Sequence, residues 1–160
     1  MEDTTQKYQD NKIHFILGHG YFVFLIVIIL GIISDFFLKM KIFSNDVYQY
    51  VGAFLLVTSS VITYWAQKTS SNYKQKIQKD SNISLFEQGP YKYIRHPTYL
   101  SLFLMTIGLC LIINSFSSII FAVIAYLIIR IFFLRKEEKI LENKYGETYS
   151  EYKKKVKNWI

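Results

Sequence analysis

"YLSLFLMTIGLCLIINSFSSIIFAVIAYLIIRIFFL", Tyr99 to Leu134, is apolar along nearly its whole length. Its first part, Tyr99 to Ile113, is short for a membrane crossing. Its second part, Ser115 to Leu134, reaches the ~20 residues that span a bilayer. Asn114 and Ser115 are the only clear break between them, so the stretch predicts two helices joined as a tight hairpin. Hydrocarbon offers the backbone no hydrogen-bond partner, so each segment must satisfy its own N–H and C=O groups as a helix. Two more apolar runs lie upstream: "FILGHGYFVFLIVIILGII", Phe15 to Ile33, and "VYQYVGAFLLVTSSVITYW", Val47 to Trp65. The expectation is an all-α integral membrane protein with about four transmembrane helices. A C-terminal helical hairpin and an amphipathic cytoplasmic tail complete it. The 160 residues, 51% of them hydrophobic, predict a single membrane domain over 1–160. The N-terminal residues are mixed in charge and no small-x-small site follows the first run. That run therefore reads as a retained helix and not as a cleaved signal.

The formal net charge is +7, and its placement is informative. The segment Ala66 to Pro97 carries Lys68, Lys74, Lys76, Lys79, Lys92 and Arg95. The tail carries Arg135, Lys136, Lys139, Lys144, Lys153, Lys154, Lys155 and Lys157. The first loop has Lys39 and Lys41 alone, and the hairpin turn has none. By the positive-inside rule the long loop and the tail face the cytoplasm, with both termini inside. For a bacterial cell this means the inner membrane. Topology accounts for the basic excess, so no nucleic-acid partner is expected; the expected partners are membrane lipids and a lipophilic small-molecule or lipid substrate. Cys110 is the sole cysteine, which excludes an internal disulfide and a cysteine-based zinc site. The polar loop "QKTSSNYKQKIQKDSNIS" is expected to be mobile.

The residues with chemical character gather in "GPYKYIRHPTYLS", Gly89 to Ser101. Pro97 suits the first turn of a helix, and His96 before it is driven out of helical geometry. A helix should therefore start near Pro97 or Thr98, with Arg95 and His96 at its N-terminus. That end already attracts anions, and a guanidinium and an imidazole strengthen the attraction. Tyr91, Tyr93 and Tyr99 add flat surfaces suited to a nucleobase or to the membrane boundary. Singly, each of these residues also fits an interfacial anchor. The second group is "RKEEKILENKYGETYSEYKKKV". If the last two helices form a hairpin, Glu137 and Glu138 come to the same membrane face as Arg95 and His96. The resulting pocket, cations on one wall and carboxylates on the other, matches a zwitterionic amino acid head group. Beyond it, Leu141, Tyr145, Tyr149, Tyr152, Val156 and Trp159 mark one face of an amphipathic helix, interrupted at Gly146. That helix has two readings, a membrane-surface anchor or a cover over the pocket. Arg130 also has two: a snorkelling cation, or a holder of an anionic substrate. His19, inside the first run, reads as a neutral histidine facing the bundle.

Taken together, the Arg-His-Pro-x-Tyr stretch, the hydrophobic hairpin, the Glu-Glu pair and the Tyr-Gly-x-x-Tyr-x-x-Tyr series resemble the isoprenylcysteine carboxyl methyltransferase family, related to the phospholipid N-methyltransferases. The resemblance covers roughly Ile83 to Val156. It implies a motif-bearing part over 83–160 that binds S-adenosyl-L-methionine. By motif position it implies cofactor contacts from Tyr91, His96, Pro97, Thr98, Tyr99 and Glu137, and from Ile83, Ser84, Leu85 and Phe86 mostly through backbone. Two positions depart from the family. Ser101 stands where it often has glycine. Phe133 stands where the prenylcysteine enzymes carry a substrate-binding arginine, and Arg130, one turn earlier, is the candidate substitute. The combined expectation is a membrane methyltransferase acting on a lipophilic or amphiphilic small molecule. O-methylation of a carboxylate is favoured, with Arg95, His96 and Glu138 as candidate catalytic residues. A phospholipid-type N-methyltransferase is the alternative, and a non-enzymatic four-helix membrane subunit the alternative of another class.

Overall fold

The computed structural model describes residues 2–38, 46–77 and 88–156, and within them it is helical with no strand. Helix α1 runs Glu2–Leu38, α2 Val47–Ile77, α3 Pro97–Ile113 and α4 Phe116–Ile128. A six-residue π turn, Ile129–Leu134, carries α4 without a break into α5, Arg135–Tyr145. Gly146 separates α5 from the short α6, Glu147–Lys155. Among the described residues three stretches are long and apolar enough to cross a membrane: Gly18–Phe37, Val47–Asn72 and Phe116–Tyr145. The fourth expected crossing is the shorter apolar helix α3. At 1.5 Å per residue its 17 residues extend about 25 Å.

One expectation is corrected. The polar stretch after the second apolar run reads as loop from Ala66, yet residues 66–77 continue α2. No glycine or proline occurs between Gly52 and Gly89, and nothing local halts a helix once it is started. Residues 78–87, which include Ile83, Ser84, Leu85 and Phe86, lie outside the described residues, as does Trp159.

The predicted hairpin turn is tight. Asn114 adopts left-handed geometry at φ 56°, and its N–H donates to the carbonyl of Leu111 at 3.0 Å. Ser115 N–H donates to Cys110 at 3.2 Å, so α3 ends in hydrogen-bonded backbone. Ser115 also caps α4, its Oγ accepting from the Ser118 N–H at 3.1 Å. The two arms nevertheless share less contact with each other than with outside partners: α3 lies chiefly along α2, and α4 along α1.

Both pairings rest on small residues. A Cβ on Gly108 would stand 2.8 Å from the Gly52 carbonyl oxygen, and one on Gly52 2.7 Å from that of Gly108. The two backbones touch where α2 crosses α3. Gly31 of α1 leaves the same kind of space for the buried Ser118 of α4. Lipid tails are as apolar as side chains, so close backbone approach replaces the hydrophobic effect as the source of helix association. Ser101, at the family's glycine position, is 1% exposed. Its hydroxyl donates to the Thr98 carbonyl at 2.8 Å and lies 2.9 Å from Thr63 Oγ1 of α2. The serine thus adds an interhelical hydrogen bond to close packing. Phe24, Val27, Tyr99, Leu102, Cys110, Ala122, Ala125, Ile129 and Leu134 form the core. Phe22, Leu25, Phe54, Val57 and Val61 point outward, the face expected of helices solvated by lipid.

Candidate active site

The site is assembled where the N-terminus of α3 meets α5 and α6. Gly89 opens a short 3-10 turn, Gly89–Lys92, at φ 53°, and a Cβ there would collide with Thr69 of α2. The added helical turns of α2 therefore support this short turn and, through it, the Arg95-His96 segment. Tyr93 and Ile94 donate backbone N–H bonds to the Pro90 carbonyl at 3.1 and 3.0 Å. His96 takes φ −126° and ψ 65°, outside helical geometry, and its carbonyl accepts the Leu100 N–H at 3.2 Å. Pro97 is the first helical residue, as its missing N–H favours. The chain direction imposed by this Arg-His-Pro step turns Arg95 and His96 toward α5.

There the two sequence groups meet. Arg95 Nη1 pairs with Glu138 Oε1 at 3.0 Å. His96 Nε2 lies 3.4 Å from the same oxygen, and His96 Nδ1 lies 3.9 Å from Glu137 Oε1. His96 is 3% exposed, and the side chains of Arg95, Glu137 and Glu138 between 11% and 16%. Tyr99 is buried and stands edge-on to the His96 ring at 6.0 Å. Gly20 of α1 faces the Tyr99 ring, where a Cβ would lie 3.1 Å from it. In "GHG" it is therefore Gly20 that touches the site, while His19 is exposed, which corrects the expectation that it faces the bundle.

The π turn explains how both glutamates reach this face. Ile129 and Leu134 are each buried, at 1% and 2% exposure, while Arg130, Ile131 and Phe132 between them are exposed. Residues five apart stand about 140° apart around an α-helix. The wider i→i+5 turn brings them within roughly 50° of each other. Leu134 then faces inward, and so do Glu137 and Glu138, three and four residues on. In an uninterrupted α-helix Glu138 would stand about 180° from Ile129, on the opposite side from Arg95.

Helix α6 closes the arrangement. Tyr149 and Tyr152 are buried and pack with Leu141, Tyr145 and Val156. Tyr152 Oη donates to the Tyr91 carbonyl at 2.6 Å. Lys153 Nζ lies 3.2 Å from Glu138 Oε2 and 2.8 Å from Glu142 Oε1. Burial pushes the Tyr91 phenol up to about 12, with the Glu137 carboxylate adding to the shift, so it stays neutral. Hydrogen bonds to Glu142 and Glu138 raise Lys153 and keep it cationic, against the smaller opposing effect of burial. Lys153, Glu142 and Gly20 are site residues that the sequence alone does not single out. Lys153 is hidden in a run of three lysines, whereas Tyr152 closes the tyrosine series read from the sequence.

Three polar atoms in this cluster are buried with incomplete hydrogen bonding: Arg95 Nε has no partner, and Tyr99 Oη and Glu137 Oε2 have none beyond the approach of the Tyr99 hydroxyl to the Glu137 carboxyl. Such atoms cost stability unless something completes them. Their chemistry is complementary to an amino acid: a donor for its carboxylate, an acceptor for its ammonium. Pro97 is buried and Thr98 half-buried beside them, at the first turn of α3. Three carboxylates, Glu137, Glu138 and Glu142, face two permanent cations, Arg95 and Lys153. Arg130 lies apart, on the exposed side of the π turn, with Nη1 3.5 Å from Tyr126 Oη one turn back.

Residues 47–148 match the family model described as phospholipid methyltransferase. Protein-S-isoprenylcysteine O-methyltransferase of Saccharomyces cerevisiae is 32% identical over 170 residues, covering 95% of this chain and 70% of the yeast protein. The protein of that name from Dictyostelium discoideum is 31% identical over 127 residues, covering 76% and 51%. Its namesake from Schizosaccharomyces pombe is 30% identical over 106 residues, covering 64% and 42%. The chain thus spans between about two fifths and seven tenths of these relatives. No solved structure gives a significant match.

Proposed function

We infer the reaction from kinship: the chain belongs to the phospholipid methyltransferase family, in its isoprenylcysteine carboxyl methyltransferase branch, and is a membrane methyltransferase. The proposed reaction is transfer of a methyl group from S-adenosyl-L-methionine to the carboxylate of a lipophilic acceptor that reaches the site from the bilayer. The observation that carries this is the junction of Arg95-His96 with Glu137-Glu138, left with three buried polar atoms whose hydrogen bonding is incomplete. The residues fit the cofactor. Glu137 Oε2 would accept from its ammonium, Arg95 Nε and Tyr99 Oη would donate to its carboxylate, and Tyr91, His96, Pro97 and Thr98 would wall the remainder. When bound, S-adenosylmethionine supplies an electrophilic methyl group on a positively charged sulfur. The protein's part is to hold the reactants in line and keep water out, since orientation supplies most of what such a displacement needs.

The carboxylate reading is supported by how Glu138 is held. One of its oxygens faces Arg95 and His96 and the other faces Lys153. A carboxylate so engaged orients its neighbours and is a poor proton acceptor. An amine acceptor would have to lose a proton to a base, whereas a carboxylate is nucleophilic as it stands. Glu138 and Arg95 are accordingly assigned to order His96 and the cofactor's amino acid end.

Titration calorimetry of the purified chain with S-adenosylhomocysteine, which shares every group except the methyl, tests the pocket. His96→Ala and Glu137→Ala are each expected to weaken binding by about 1–3 kcal/mol, the cost of losing a charge-assisted partner in a buried site. Parent-like affinity in both variants would remove the pocket.

Arg130 stands outside the Arg95–Glu138 junction, on the exposed side of the π turn, and is assigned to meet the anionic end of the acceptor as it enters from the lipid. Its guanidinium reaches back toward Tyr126, toward the middle of the span and away from the interface. Tyr126 in turn stacks on Phe103 of α3, with centroids 4.7 Å apart. In methyl-transfer assays with an S-prenylated N-acetylcysteine, Arg130→Gln should raise the acceptor KM and leave cofactor affinity unchanged. A parent-like KM would make Arg130 an anchor only.

A further inference from the structure

Two contacts join α6 to the site, one from Tyr152 of the tyrosine series and one from Lys153, which no motif marks. Tyr152 Oη holds the Tyr91 carbonyl at 2.6 Å, and Lys153 Nζ bridges Glu138 Oε2 and Glu142 Oε1 at 3.2 and 2.8 Å. Glu138 and Glu142 are one turn apart on α5, so a single ammonium ties both to α6. The joint between α5 and α6 is Gly146, at φ 55° and ψ −127°, a backbone conformation that favours glycine. Its N–H donates to the Glu142 carbonyl at 2.8 Å and its carbonyl accepts from the Ser150 N–H at 3.2 Å, and beyond it α6 is held by tyrosine packing together with these two contacts. The lysine's contact is the one that also acts on the reacting centre. Oε1 of Glu138 takes Arg95 and His96, and Oε2 takes Lys153. Without the second grip the carboxyl group can rotate about its terminal torsion, which is broad and weakly restrained. Arg95 and His96 would then lose their shared acceptor.

We propose that Lys153 is a positioning residue of this site: its ammonium latches α6 over the cofactor pocket and fixes the Glu138 carboxylate that orders Arg95 and His96. The inference rests on the functional reading above, and it adds to it a residue on a separate helix. The chain Arg95, Glu138, Lys153, Glu142 alternates in charge, so each member is neutralised by the next.

The test has two readouts on the full chain in detergent, comparing the parent with Lys153→Met and Lys153→Arg. The first is chymotrypsin cleavage after Tyr149 and Tyr152, which are 1% and 6% exposed and inaccessible while α6 is latched. Lys153→Met should be cut there about fivefold faster, and Lys153→Arg, which keeps charge and reach, near the parent rate. The second is affinity for S-adenosylhomocysteine, expected to fall about fivefold in Lys153→Met and to recover in Lys153→Arg. A merely structural lysine would not show recovery in both readouts. Parent-like cleavage and affinity in Lys153→Met overturn the proposal, and faster cleavage with unchanged affinity overturns the positioning role. If the parent itself binds no S-adenosylhomocysteine, the functional reading fails, while the cleavage comparison still decides whether Lys153 latches α6.

Discussion

Removing Phe132 should leave cofactor binding within about threefold of the parent, while removing Ile124 should weaken it by roughly 100-fold or more, the loss of two charge-assisted partners. Both residues are exposed, so neither loss removes core volume. The difference lies in helical register. A π turn holds one residue more than the α-helix it interrupts. Without Phe132, Ile129 and Leu134 become four positions apart, share one face of an ordinary α-helix, and keep Glu137 and Glu138 pointing at Arg95 and His96. Without Ile124 there is no extra residue to absorb the deletion locally. Everything beyond turns by about 100° relative to Ala122 and the upstream half of α4, and packing against α1 and the alignment of the carboxylates cannot both be kept. Calorimetric titration with S-adenosylhomocysteine, alongside elution volume in detergent, reads the outcome. Equal tolerance of the two deletions, or the reverse order, would mean that the π turn does not set the register of the glutamates.

The second large effect is expected at the α2–α3 crossing. Gly108→Leu should destabilise the protein by about 3 kcal/mol, the upper end of what overpacking costs. The new Cβ would lie 2.8 Å from a backbone oxygen, that of Gly52, and 3.2 Å from Leu55 Cβ. A flexible side chain can move aside, but a helix backbone moves only as a unit. The two helices would separate, and the Thr63–Ser101 bond further along the same interface would stretch. Gly18→Ala is the matched control, with nothing within 4 Å of its Cβ. It should be neutral or gain a few tenths of a kcal/mol from reduced chain entropy. Thermal unfolding in detergent compares them. A Gly108→Leu protein as stable as the control would show that the crossing tolerates wider spacing.

Much of the fold was legible because a bilayer makes a harsh selection. Length and apolarity identify the crossings, and the distribution of Lys and Arg suggests an orientation, without any knowledge of packing. Local backbone chemistry was equally readable: His96 before Pro97 predicted the start of α3, Asn114-Ser115 the hairpin turn, and Gly146 the break before α6. The charge groups Arg95-His96 and Glu137-Glu138 were matched from sequence because a hairpin returns its ends to one face. The continuation of α2 beyond Ala66 was not matched, because polar helix and polar loop have the same composition when no glycine or proline marks the end.

What the sequence determined by itself was therefore the membrane class, the helix boundaries set by proline, glycine and asparagine, and the pairing of a cationic turn with an acidic one. The tertiary structure alone decided which helices lie together, α2 with α3 and α1 with α4, since small-residue crossings at Gly52–Gly108 and Gly31–Ser118 depend on both partners at once. It alone decided the π turn, because "IRIFFL" has no local signal for it and the turn's evident effect is to keep Ile129 and Leu134 both buried. And it alone chose Lys153 from three consecutive lysines, because position around a short helix, beyond a glycine of unusual dihedrals, decides which ammonium reaches Glu138.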